Sequence, residues 1–316
     1  MKYILATLMA SFLAACGLVI PLDLPQKKTR LVVNCLFSPD DFFRVSIGNT
    51  APILGKTRPK TLREAQISIG SNTGETTTDF VLDSTIQIVK NERNPDQMDT
   101  TIVYSFRSLT TKPTEQTTYT ISATSKGFET PAQATQTVPR HVAINSLQYV
   151  GATNTDGLLN FQYAMTFDDV ADETNFYGMS VYVKNQTQKL KRGFYSFDLD
   201  LATGLTNDPT NWAGDAALGV YYGNIPVFTD KSFRNGSKTI FFSVSNKIFS
   251  PNPPLILDVY VELQTHTRAS YNYIFSANQQ ANSNGTPFVE PTLNYTNINN
   301  GLGIFAAYAT FGQKLN

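Results

Sequence analysis

Acidic side chains gather in two stretches of the 316-residue sequence. In "FDDVADETNFY" they are Asp168, Asp169, Asp172 and Glu173. Two carboxylates flanking a sugar bond could supply the acid and the base or nucleophile of a glycosidase. Closely spaced oxygen ligands could hold Ca²⁺, and the same residues also suit a solvated turn between strands. In "DLDLATGLTND", Asp198, Asp200 and Asp208, with Thr203 and Asn207, offer oxygens to a loosely built Ca²⁺ loop. Their order and the lack of a terminal Glu depart from an EF-hand. A third group is aromatic: Trp212, Tyr221, Tyr222, Phe228 and Phe233, in or near one long Gly- and Asn-rich loop. Such rings could stack on a sugar or anchor a partner, or they could close the end of a β-sandwich. The G-x-S-x-G elbow of a serine hydrolase is missing. His141 and His266, the two histidines, stand far apart with no companion motif. No catalytic residue is assigned, and the expectation is a protein that is not an enzyme.

The elements that must position these residues are strands. "RLVVNCLF" and "FFRVSIG" are β-branched and aromatic runs separated by Ser38, Pro39, Asp40 and Asp41. "AQISIG", "FVLDSTIQIVK", "TIVYSF", "TTYTISATS" and "TPAQATQTVP" continue the series, and their number and spacing suit an immunoglobulin-like β-sandwich over residues 29–140. The Cys and Trp hallmarks of antibody domains are missing, so the sandwich is a statement of topology. After Pro139 and Arg140 a second β-rich block, 141–316, begins with "VAINSLQYV" and runs on through "LLNFQYAMTF", "FYGMSVYVKN", "KTIFFSVS" and "LILDVYVELQT". One helix is expected in "THTRASYNYIFSANQQANSNG", with Thr265 as N-cap, Tyr271, Ile274 and Phe275 on one face, and Asn284-Gly285 as the stop. The fold class is therefore all-β with one short helix.

Composition narrows the partners. Lys plus Arg and Asp plus Glu both number 25, and no long basic or acidic block occurs. That balance suggests neither nucleic acid nor an anionic lipid surface. Charged residues make up 16% and aromatic residues 12%, a mix that favours strands and hydrogen-bonding surfaces. Two cysteines cannot form a disulfide framework if one is modified. Cys35, within the apolar run "LVVNCLF", reads as a small buried hydrophobe, and Cys35 with two His makes no metal site.

The opening "MKYILATLMASFLAACG" has one charge at Lys2, a short apolar run and small residues leading into Cys16. That is a signal-peptide layout, 1–15, and the run falls short of the roughly 20 residues needed to span a bilayer. "LAACG" resembles the lipobox of bacterial lipoproteins, in which the chain is cut before the Cys and that Cys carries diacylglycerol and an N-acyl chain such as palmitate. Residues 16–28 would then be the lipidated Cys16 and a Pro-bearing tether. Gly17 in place of Asp lacks the inner-membrane retention cue, so the outer membrane, on its periplasmic or cell-surface side, is the expected location. No other cofactor is expected.

Several segments carry a wider resemblance. Leu24-Pro25 followed by Arg30 to Asn34, "FDDVADETNFY" at 167–177, "VFTDKSFRNG" at 227–236 and "PFVEPTLNYTNINNGLGIFAAY" at 287–308 resemble, in this order, the Bacteroidota lipoproteins catalogued as domain of unknown function 4249. The resemblance covers nearly the whole chain after the leader, with Cys35 standing where a Gly is more usual. It implies an outer-membrane or surface lipoprotein, often encoded beside a TonB-dependent receptor that imports glycans or other nutrients. It implies no catalytic residues. In the last motif Asn300-Gly301 and Gly303 permit turns with positive φ, Ile304, Phe305 and Tyr308 can return as a buried closing strand, and Pro287, Pro291, Asn294 and Asn297 hold the approach rigid. This motif is read as completing the fold. The functional expectation is an accessory binding or docking subunit of a TonB-dependent nutrient transporter, with a surface polysaccharide hydrolase using Asp168, Asp169, Asp172 and Glu173 as the alternative.

Overall fold

The computed structural model describes residues 28–51, 59–90, 98–155, 158–184, 189–191, 195–197, 227–245, 258–283 and 293–315. In chain order the strands of the first half are β1 (Leu31–Phe37), β2 (Arg44–Asn49), β3 (Lys60–Thr61), β4 (Gln66–Ser71), β5 (Thr76–Thr77), β6 (Phe80–Lys90), β7 (Met98–Ser108), β8 (Thr118–Ser125) and β9 (Phe128–Thr137). The second half adds β10 (Ile144–Thr155), β11 (Leu158–Asp168), β12 (Phe176–Lys184), β13 (Lys189–Lys191), β14 (Tyr195–Phe197), β15 (Val227–Thr229), β16 (Ser237–Ser245), β17 (Asp258–His266) and β18 (Leu302–Lys314). Among the described residues one α-helix occurs, α1 (Arg268–Ser283). The fold is all-β with a short helix.

One long sheet runs in the order β13-β12-β17-β18-β1-β2-β7-β6, with β15 added to β12 and β3 to β2. Two four-stranded sheets, β5-β4-β8-β9 and β10-β11-β16-β14, complete the set. Alternation explains the faces. In β1 the pattern Leu31, Val33, Cys35, Phe37 buries every second side chain, because successive residues of a strand point to opposite sides. These side chains meet Ile67 and Ile69 of β4, Ile121 and Ala123 of β8, and Ala132 and Ala134 of β9 to form the first core. Its centre is a ring cluster of Phe37, Phe43, Tyr119 and Phe305, with centroids 4.7 to 6.0 Å apart. Cys35 is part of this core and is 1% exposed. Burial pushes its thiol pKa up, out of the range of a reactive thiol.

The second core lies between β10, β11 and β16 on one side and β12 and β17 on the other. Met165, Phe167, Tyr177, Met179, Phe242, Val259, Val261 and Leu263 fill it. Each such fully buried side chain contributes about 1.5–3 kcal/mol of transfer free energy.

The division near residue 140 falls between β9 and β10, but β18 crosses it. From the second half it returns to pair in parallel with β1, from Val32 opposite Leu302 to Phe37 opposite Ala307. Phe305 and Ala307 enter the first core. Ile304 and Ala306 face the other way, against Ala269 of α1, and Phe311 packs on the second core. Burial on both faces explains the unbroken apolar run, and the alanines let neighbouring layers approach.

The turn before β18 is held tightly. Asn297 Nδ2 donates to Phe305 O at 2.7 Å, and Phe305 N donates to Asn297 Oδ1 at 2.9 Å. Asn300 (φ 58°) and Gly303 (φ 107°) adopt the left-handed region. The last motif is thus a closing strand, as expected.

The helix differs at its start. Thr267 caps it, receiving Ser270 N at 3.3 Å on its hydroxyl and Tyr271 N at 3.0 Å on its carbonyl. Thr265 still belongs to β17, whose pairing with β12 and β18 continues through His266. Sheet pairing on both sides outcompetes an earlier cap.

Candidate functional site

A cleft of about 600 Å³ opens where the two halves meet. One wall is the crossing segment Val138-Pro139-Arg140, another is the corner between β11 and β12, and the third is the end of β17 with the start of α1.

Each wall is fixed by its own hydrogen bonds. Val138 N donates to Thr117 O at 3.0 Å and Gln116 N to Val138 O at 2.8 Å. His141, one residue past Arg140, bonds Glu115 through Nδ1 at 2.7 Å and stacks on Phe311. At the corner, Asn175 Nδ2 donates to Val170 O at 2.7 Å, while Asn175 N donates to Asp230 Oδ2 at 3.1 Å and Asp230 N returns to Asn175 O at 3.2 Å. Arg234 adds an ion pair to Asp230 at 3.3 Å and a hydrogen bond to Thr174 at 2.8 Å. The third wall is anchored by His266, whose ring nitrogens meet Ser270 Oγ at 2.9 Å and Gln264 Oε1 at 3.0 Å. Gln264 Nε2 in turn donates to buried Glu262 at 2.7 Å. Gly178 opposite leaves room for this row, since a Cβ there would lie 2.6 Å from His266 Nε2.

The charged groups on the cleft are Arg140 and Arg268, both exposed, and Glu173. Arg268 lies over the ring of Phe176, 5.8 Å from its centroid. Thr265, 5% exposed, lines the cleft, and its Oγ1 has no hydrogen-bond partner among the described residues.

Most of the acidic cluster is committed to the corner. Asp168 accepts hydrogen bonds from Ser237 and Asn145, which hold its carboxyl below the usual carboxylate range. Asp169 accepts Tyr177 Oη at 2.7 Å and Asn235 N at 2.9 Å. Burial, and then this bond to Asp169, pushes the Tyr177 phenol up. Asp172 has φ 67° and donates its N–H to Asn235 Oδ1 at 3.0 Å. Of the four carboxylates only Glu173 lines the cleft. Asp168 ends β11 and the other three follow it in the corner before β12, rather than standing on opposite walls as the glycosidase arrangement needs.

Of the aromatic group, Phe228 is fully buried in the second core and Phe233 packs against it and Tyr177. Both rings belong to the second core, and Phe228 presents no face to a ligand. Trp212, Tyr221, Tyr222, the Ca²⁺ candidates Asp198, Asp200 and Asp208, and Cys16 lie outside the described residues. Among the described residues no cluster of three or more His, Cys, Asp or Glu is arranged to hold a metal. No helix among them is long and apolar enough to cross a membrane.

Sequence reasoning did not single out Arg140, Thr265 and Arg268 as a group. The one local signal was an Arg in the first turn of a helix that has no acidic residue there. A search of the curated proteins finds no match. The model of the family described as Domain of unknown function (DUF4249) matches residues 19–314, and the chain belongs to that family.

Proposed function

We propose that this protein is a non-enzymatic lipoprotein of the outer membrane, facing the periplasm or the cell surface, anchored through acylated Cys16 and serving a TonB-dependent nutrient transporter as a binding or docking subunit. The observation that carries the reading is "FLAACG" at residues 12–17, where small residues run directly into Cys16 and Gly17. A short signal followed by several acyl chains gives firm anchoring without a spanning helix. The junction cleft supports the binding role, because it is large enough for a nutrient-sized molecule and has polar groups at its walls. Exposed Ile86 and Ile102, paired across the β6–β7 hairpin, add apolar surface on which a partner could dock.

Two measurements test this. Metabolic labelling with an acyl probe should mark the wild-type chain and not Cys16→Ala, and the variant should leave the membrane fraction. Affinity purification from solubilised outer membranes should recover a TonB-dependent receptor. An unlabelled wild type defeats the anchor, and repeated recovery of the protein alone defeats the transporter association.

A further inference from the structure

We propose that the junction cleft binds the oxyanion group, carboxylate or phosphate, of a small molecule, with the first turn of α1, Thr265, Arg140 and Arg268 as its donors. This rests on the reading of the chain as a binding subunit and names the chemistry of its ligand.

Three independent features converge there. The first is the helix end. Thr267 caps Ser270 N, and Arg268, the first residue of the helix, lines the cleft beside it. The first N–H groups of a helix and the positive end of its dipole together favour an anion. The second is charge placement. Helices usually carry acidic side chains in the first turn, whereas α1 has none and begins with Arg268. Arg140 comes to the same cleft from the crossing segment, so the lining carries two arginines and one carboxylate, that of Glu173. Guanidinium groups match the geometry of carboxylate and phosphate oxygens. The third is Thr265, whose hydroxyl oxygen is buried at the cleft and unpartnered among the described residues. An unsatisfied buried hydroxyl costs stability, and an anion accepting its hydrogen would remove that cost.

The stacking of Arg268 over Phe176 keeps its guanidinium at the rim. The bonds from Asn175 to Asp230 and from Arg234 to Thr174 hold the wall that carries Glu173.

The test is calorimetric titration of the full chain in detergent with sodium phosphate and, separately, sodium acetate, with chloride adjusted to hold ionic strength constant. Saturable heat with phosphate alone indicates a phosphate ligand, and with acetate alone a carboxylate. Arg140→Gln should raise Kd about tenfold or more, the usual consequence of losing a charge-assisted hydrogen bond. Glu173→Gln should lower Kd by relieving like-charge repulsion. Thr265→Val should weaken binding while leaving the melting temperature without anion unchanged or higher, which separates loss of a donor from loss of fold. Absence of heat with both anions, or heat that Arg140→Gln and Thr265→Val leave unchanged, overturns the inference. Because acylation and receptor recovery are measured separately, a chain that passes those and binds neither anion loses this inference alone.

Discussion

Asp83 on β6 shows how a surface ion pair contributes. Arg44 Nη1 donates to its Oδ2 at 2.7 Å, and both side chains are more than a third exposed, Arg44 at 35% and Asp83 at 41%. The hydrogen bond from Arg44 is the main reason that the Asp83 carboxyl is held below the usual carboxylate range. A depressed carboxyl stabilises the folded state above the unfolded pKa of about 3.9 and loses that contribution as pH falls through the folded value. Asp83→Asn should therefore cost no more than about 1 kcal/mol at pH 7, given solvent screening. The gap to wild type should shrink as pH falls below about 4. Urea melts at pH 7 and pH 3 read this directly, and a gap of constant size at both would contradict it. At this scale the sequence was informative where a residue's neighbours are local. Cys35 in an apolar strand reads correctly as a buried hydrophobe. The cleft was not legible, because Arg140, Glu173 and Arg268 come from separate segments that only the packing of the two halves brings together.

Strands were legible from alternation and turn residues, and the closing motif from its glycines; their partners were not. Parallel pairing of β1 with β18 joins the two ends of the described chain, and no local period encodes such a contact. The motif does show how the contact is enforced. A Cβ on Gly303 would lie 2.1 Å from Val33 O, and φ is +107°. Gly74 has a comparable φ of +92° but nothing within 4 Å of a Cβ. Backbone strain alone costs about 1–3 kcal/mol at either site, so the pair isolates the effect of the clash. Gly74→Ala should melt only modestly below wild type. Gly303→Ala should lose roughly 4 kcal/mol or more or fail to accumulate folded, since a clash with backbone in a packed pairing is among the severe mechanisms. Equal melting of the two variants would show that β18 can shift away from β1 at little cost.

Across the whole molecule the long sheet ties the halves together. The sequence reads as two blocks because the crossing segment near residue 140 has Pro139 and little apolar pattern. A chain of this length commonly unfolds through intermediates, and cooperative melting is the habit of domains under about 150 residues. Here β18 places Phe305 and Ala307 in the first core and Phe311 against the second. His141, past the crossing, is bonded to Glu115 of the first half and stacked on Phe311. Neither core can lose β18 without exposing apolar surface of the other. Scanning calorimetry should therefore show one transition, with van't Hoff and calorimetric enthalpies in agreement. Phe305→Ala removes about 3–5 kcal/mol of core packing from the first core alone. In a coupled molecule that loss moves the whole transition to lower temperature; in an uncoupled one it splits off an early transition and leaves the second half melting at the wild-type temperature. Near-UV circular dichroism followed beside the calorimetry distinguishes these outcomes, since Tyr163, Tyr177 and Phe242 report on the second core. A second-core signal that stays in place when Phe305 is truncated would mean that β18 links the halves in space without coupling their stability.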